Sequence, residues 1–333
     1  MASKAWTSPR RRAAAAAAAV HRLMAPAAAA AAALLLSACA GRSLEGFVIP
    51  DERIILVAPD ANEYAHEEEQ LSRLSLQLDA HGEDASARAD LFYRLGLIYD
   101  SLGMQLTARA MFMNAMVHDV SYAKPYNFVA IYFFQEGNFQ DAIEALDAAL
   151  ELDPGDRYIN FSRALILYYA RRPATALPDI RLFYEDDPDD PYRMLWYYLI
   201  DREVSGAEQA RQDLRRRRDQ ASPGEDSAFG MMLLSLYLGE LSESGLFEPL
   251  RSEDLDARTR NEILCEAYFY LGKLRQEQGD LRQAYDYFRL CQATRIYPFL
   301  EYRYAPQELR FIESAYLGRA PTLPAVPATL EEE

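Results

Sequence analysis

From residue 88 onward the chain repeats itself every 34 residues, and this period limits its fold more than any other feature. Gly103 recurs as Gly137, Ala108 as Ala142 and Ala176, and Pro154 as Pro188. Bulky columns keep the same register: Phe92 with Tyr126, Tyr99 with Phe133 and Leu167, Phe112 with Leu146 and Ile180. Small columns lie between them: Gly96, Ala130 and Ala164, then Ala115 and Ala149. A late copy has Tyr268, Leu271, Gly272, Gly279, Ala284 and Phe288 at the same mutual spacings. A unit this short cannot bury its apolar face alone, so successive units must stack.

The pattern resembles the tetratricopeptide repeat, a helix–turn–helix unit of 34 residues. The expected fold class is therefore all-α, a tetratricopeptide-repeat superhelix or α-solenoid. Small residues let the two helices of a unit approach, and the aromatic columns fill the space around them. Gly137-Asn138 and Gly279-Asp280 end one helix and start the next. Pro154 and Pro188 punctuate the exit from the second helix. Clear repeats are expected at 89–122, 123–156, 157–190 and 265–298, within an array spanning 89–316. The first lacks its closing proline, having Val120. The third has Arg163 in an apolar column, Phe183 in a small one and no glycine at its internal turn. Residues 191–264 have room for two degenerate helix pairs, with Trp196–Leu199 and Met231–Leu238 as apolar segments. Further helices are expected at 67–79 and 299–316. Residues 40–62 and 317–333 lack periodicity and read as a tether and an acidic tail.

The amino terminus has the order of an export signal: basic Lys4 and Arg10–Arg12, an apolar run from Ala25 to Leu36, then small residues. The run is about a dozen residues, whereas a spanning helix needs about 20. Leu36-Ser37-Ala38-Cys39 resembles the bacterial lipoprotein box. That resemblance implies a signal peptide over 1–38, thioether lipidation of Cys39, and a segment 39–88 that begins with the anchor. Ala40, where an aspartate would imply inner-membrane retention, implies the outer membrane and a periplasmic face. Without 1–38, which holds five basic residues and no acid, the formal charge moves from −16 to −21. So acidic a chain repels nucleic acid and anionic headgroups, so attachment to a membrane would rest on the lipid.

Between residues 88 and 200 stand Tyr99-Asp100-Ser101-Leu102-Gly103, Glu136-Gly137-Asn138-Phe139, Leu150-Glu151-Leu152-Asp153-Pro154, Leu167-Tyr168-Tyr169 and Phe183-Tyr184-Glu185-Asp186-Asp187-Pro188. On these residues the stretch resembles the NlpI-like outer-membrane lipoproteins. Leu236-Tyr237-Leu238-Gly239 and Tyr270-Leu271-Gly272-Lys273 extend it weakly. The resemblance implies a homodimeric periplasmic adaptor that binds peptidoglycan endopeptidases and a tail-specific protease, and so governs cell-wall hydrolysis. The alternative is a lipid-anchored repeat scaffold for outer-membrane protein assembly or pilus secretion.

No catalytic residues, cofactor or metal are expected. His66, His81 and His118 have no second His or Cys at ligand spacing, and neither a phosphate loop nor a nucleophile elbow occurs. Asp186-Asp187-Pro188-Asp189-Asp190 lacks the glycine and distal glutamate of a calcium loop. Arg215–Arg218 is a solvated helix surface or a patch for an acidic partner. Cys265 and Cys291 are either buried thiols or a bridge.

Stacked repeats curve into a concave face lined by the first helix of each pair. Residues between its packing columns form the expected partner groove: Tyr93, Leu97, Lys124, Asn127, Ile131, Phe134, Phe161, Leu165, Tyr168, Phe269, Lys273 and Gln276. Aromatic and polar groups side by side suit peptide or helix binding.

Overall fold

A computed structural model describes residues 65–80, 84–251 and 255–316. The chain divides into two units, Met1–Pro50 and Asp51–Glu333, and every described residue lies in the second. The signal, Cys39, the tether and the tail lie outside the described residues.

Fourteen α-helices and no strand occur among the described residues. In order they are α1 (Ala65–Ala80), α2 (Ala85–Ser101), α3 (Gln105–His118), α4 (Ala123–Gln135), α5 (Phe139–Leu152), α6 (Arg157–Tyr169) and α7 (Pro173–Asp186). Then follow α8 (Pro191–Ser205), α9 (Ala207–Gln220), α10 (Ala228–Tyr237), the single turn α11 (Glu243–Leu246), α12 (Ala257–Glu277), α13 (Leu281–Ala293) and α14 (Leu300–Tyr316). Consecutive helices pair as α2/α3, α4/α5, α6/α7, α8/α9 and α12/α13, and each pair stacks on the next up to α9. The architecture is an all-α repeat solenoid.

The small and bulky columns explain the pairing. A Cβ built on Gly96 would lie 2.6 Å from the Phe112 ring, and one on Gly272 would lie 2.7 Å from the Phe288 ring. Both rings are fully buried. Where the second helix carries phenylalanine, the first carries glycine. Where the second carries Leu146 or Ile180, the first has room for Ala130 or Ala164. Two complementary columns thus hold one interhelical distance through the array.

Turn chemistry follows the same repeat. Gly137 and Gly279 have φ of 86° and 81°, in the left-handed region that favours glycine. The third repeat puts Arg171 at this place with φ 60°, a conformation that costs an L-residue about 1–2 kcal/mol. Caps set the next starts. The Asp156 carboxylate accepts from the N–H groups of Tyr158 and Ile159 and opens α6. Asp190 does the same for α8, with Pro191 at the first helical position.

Residues 191–264 are irregular. The pair α8/α9 is complete, but α10 is followed by only the four-residue α11 and a 3-10 turn at Pro249–Arg251. The core runs from α4 to α14. A separate small cluster joins Leu74 of α1 to Leu91, Leu95 and Ile98 of α2.

Candidate protein-interaction groove

The last helix decides what the concave face is. α14 lies against α4, α6, α8 and α12. Its Tyr304 ring is 4.8 Å from Phe134 of α4, 5.3 Å from Tyr169 of α6 and 6.4 Å from Trp196 of α8. Phe311 stacks on Tyr169 at 6.0 Å. Before the helix begins, the Tyr297 ring packs on Gly103.

The buried stripe of α14 contains two acids. Glu301, Tyr304, Ala305, Glu308 and Ile312 recur at helical spacing on its inner face. Glu308 accepts from Lys273 Nζ at 2.7 Å, from Tyr169 Oη at 2.6 Å and from Gln276 Nε2 at 2.8 Å. Both side chains of the ion pair are buried, Lys273 at 6% and Glu308 at 3% exposure. Lys273 also donates to Tyr168 Oη at 3.0 Å. Burial opposes its charge, but Glu308 and Tyr168 outweigh that and hold the ammonium above the ordinary lysine range. Burial, then Glu308, pushes the Tyr169 hydroxyl well up. A second ion pair, between Arg303 and buried Asp100, ties α14 to α2, and Tyr132 Oη donates to the same carboxylate at 2.7 Å.

The residues expected in the groove therefore divide. Phe134, Leu165 and Phe269 are fully buried, and Ile131 and Lys273 nearly so. Packed within the array, Phe134, Leu165, Phe269 and Ile131 offer almost no free surface, and Lys273 reaches only the wall of a pocket beside α14. Tyr93 and Leu97 are half-buried against a cluster around Phe112. Lys124 is exposed, and Asn127 is half-buried with Oδ1 lacking a partner. Phe161, Tyr168 and Gln276 are half-buried.

These last three line what remains open. α14 separates two pockets. One, of about 290 Å³, lies beside its carboxy-terminal half and is lined by Tyr168, Arg202, Lys273, Gln276, Glu277 and Phe311, among others. The other, of about 310 Å³, lies beside its amino-terminal end, where Phe161, Tyr192, Trp196, Glu266, Tyr270 and Glu301 meet. Sequence reasoning missed Tyr169, Glu301 and Glu308. The signal available was that both glutamates share a helix face with Tyr304, Ala305 and Ile312.

The other sequence features resolve into structure. The arginine run on α9 pairs within the chain: Arg215 and Arg218 with Glu240, Arg216 with Asp213 at 2.7 Å, and Arg217 over the Tyr197 ring at 3.8 Å. Asp186 and Asp190 pair with Arg193 at 3.0 and 3.5 Å. No group of three or more candidate ligands that could hold a metal occurs among the described residues. Cys265 and Cys291 are buried free thiols with Sγ atoms 3.6 Å apart. No helix among the described residues is long and apolar enough to cross a membrane.

Residues 123–156, which form α4/α5, match the tetratricopeptide repeat family model. Solved structures of similar fold include a tetratricopeptide repeat protein from Parabacteroides merdae (14% identity over 76% of this chain and 93% of that one, TM-score 0.44). PilF of Pseudomonas aeruginosa is similar at 20% identity over 66% of this chain and 96% of that one, TM-score 0.38. Yeast Tom70 is similar at 15% identity over 79% and 61%, TM-score 0.39. The repeat fold is ordinarily a non-catalytic scaffold for protein binding. Residues 123–156 thus match one tetratricopeptide repeat, and the neighbouring helix pairs keep its register within an all-α repeat solenoid.

Proposed function

We propose that the protein is a scaffold anchored to the outer membrane through a lipid on Cys39 and facing the periplasm. In this reading it is a homodimeric adaptor that holds peptidoglycan endopeptidases and a tail-specific protease together, setting how much wall-opening activity survives. The observation that carries the scaffold part is the concave face itself: a packed array of helices with two open pockets of mixed aromatic and charged lining. Rigid helices present such groups at little entropic cost on binding. The anchor and the choice of partners rest on the lipoprotein box and on the resemblance to NlpI-like lipoproteins.

The test is affinity capture of the tagged, lipidated protein from gently solubilised envelopes, with mass spectrometry of the bound proteins. Cell-wall endopeptidases and a tail-specific protease are the expected catch. Recovery of outer-membrane assembly or pilus components in their place would overturn the adaptor role.

A further inference from the structure

The pocket at the amino-terminal end of α14 has an unusual charge balance. Of the acids buried elsewhere in the array, four have a cation (Asp100 has Arg303, Asp179 has Arg163, Glu277 has Arg202 and Glu308 has Lys273), while Asp201 has no ion pair among the described residues and accepts from Ser205 Oγ at 2.7 Å. Glu266 and Glu301 have none among the described residues. Glu266 accepts only from Tyr192 Oη, at 2.5 Å, and Glu301, 7% exposed, accepts from Tyr270 Oη at 2.9 Å. The basic residue that lines the pocket among the described residues, Arg193, is spent on Asp186, Asp190 and the face of Phe183, 4.1 Å away.

Aromatic rings form the rest of the wall. Trp196 stands between Phe161 and Tyr270, with ring centroids 6.2 and 6.3 Å away, and Tyr192 is 6.3 Å from Tyr270. Ring faces attract cations, most strongly where water is excluded. A cavity of about 310 Å³ with such walls and two carboxyls lacking counter-ions suits the end of one long basic side chain.

We propose that this pocket is an anchor site for an arginine or lysine side chain presented by a partner protein segment, held by Glu266 and Glu301 and flanked by Phe161 and Trp196. The inference deepens the scaffold reading and rests on it for the source of the side chain. The acidic chain, at a formal −16, favours a basic partner. Without an occupant, burial first and then Glu301 push the Glu266 carboxyl up to about 8, with Glu262 and Asp190 adding and the Tyr192 hydroxyl opposing. Burial raises Glu301 as well. An entering cation favours the ionised carboxyls, so binding strengthens as pH rises through that range.

The sequence contains two tryptophans, Trp6 and Trp196, so the full chain carrying Trp6→Phe reports from the pocket alone. It is titrated with a blocked Ala-Arg-Ala peptide, a blocked Ala-Gln-Ala peptide and spermidine, following Trp196 emission at pH 7 and pH 9. The arginine peptide is expected to give a saturable change, tighter at pH 9, and the glutamine peptide none. Glu266→Gln is expected to weaken the arginine peptide about tenfold with the circular-dichroism melt retained. Glu301→Gln serves as the second variant should the first not fold. Equal response to the glutamine peptide, unchanged affinity in the folded variant, no saturable change at all, or binding of spermidine alone would each overturn the assignment. No endopeptidase or protease enters the experiment, so the pocket and the adaptor role can fail separately.

Discussion

Replacing Lys273 with methionine tests whether α14 is held in the groove by a buried ion pair. Methionine matches the length of the lysine stem and leaves no large void. It removes the one cation that Glu308 touches among the described residues, while Tyr169 and Gln276 continue to donate at 2.6 and 2.8 Å. Removing one member of a buried pair costs about 3–5 kcal/mol. The two remaining donors place this case near the lower end, at about 3 kcal/mol. For a chain of this size that lowers the melting temperature by about 6–12 °C, at roughly 2–4 °C per kcal/mol. Lys273→Met combined with Glu308→Gln removes both charges and keeps an acceptor for Tyr169, so the double variant is expected to recover most of the loss. Urea unfolding followed by far-UV circular dichroism gives all the terms of the cycle. A single variant costing under about 1 kcal/mol, the value for exposed pairs, would refute the reasoning. So would a double variant as unstable as the single one, since the loss would then lie in packing and not in an orphaned carboxylate.

Three further outcomes are expected. Gly272→Ala drives a Cβ into the buried Phe288 ring at 2.7 Å and costs about 1–3 kcal/mol; Gly137→Ala, with open space around it but φ of 86°, costs about 1 kcal/mol, and thermal melts of the two should rank in that order. Folding stability is expected to fall as pH climbs from about 4.3, the ordinary glutamate value, to about 8, because over that window the folded chain keeps a proton on Glu266 that the unfolded chain has released. Urea unfolding across pH should show a shallower decline in Glu266→Gln, and an unchanged slope would count against the buried-acid account. Cys265 and Cys291 are fully buried, and burial holds the Cys291 thiol well above the ordinary range, so iodoacetamide should modify neither in the native protein and both in urea.

A chain that fills its own concave face changes how such a scaffold can bind. With α14 seated, a partner meets two pockets and a helix surface in place of a continuous trough. The contacts holding α14 are mostly polar and aromatic: the Lys273–Glu308 and Arg303–Asp100 pairs and the Tyr304, Tyr169 and Phe134 rings. Such contacts demand specific geometry. A foreign helix would have to reproduce them to compete.

The period of 34 and its columns are properties of short stretches, and they were legible directly. Gly96 opposite Phe112 and Gly272 opposite Phe288 state the interhelical distance, and Gly137 and Gly279 state the turn, because both members of each contact lie within one repeat. The family of the repeat and the helical class follow from that local agreement. What covers the concave face is not local. Tyr169 meets Glu308 across 139 residues, and Arg303 meets Asp100 across 203. Helical spacing says which side chains share a face of α14 and nothing about what that face touches, so it assigns no role to Glu301 and Glu308 and places Phe134, Leu165 and Phe269 in an open groove. Only the curvature of the stacked array, the sum of small rotations at each pair, brings the last helix back onto α4 and α6. That return turns an open groove into two pockets and buries Glu301 and Glu308.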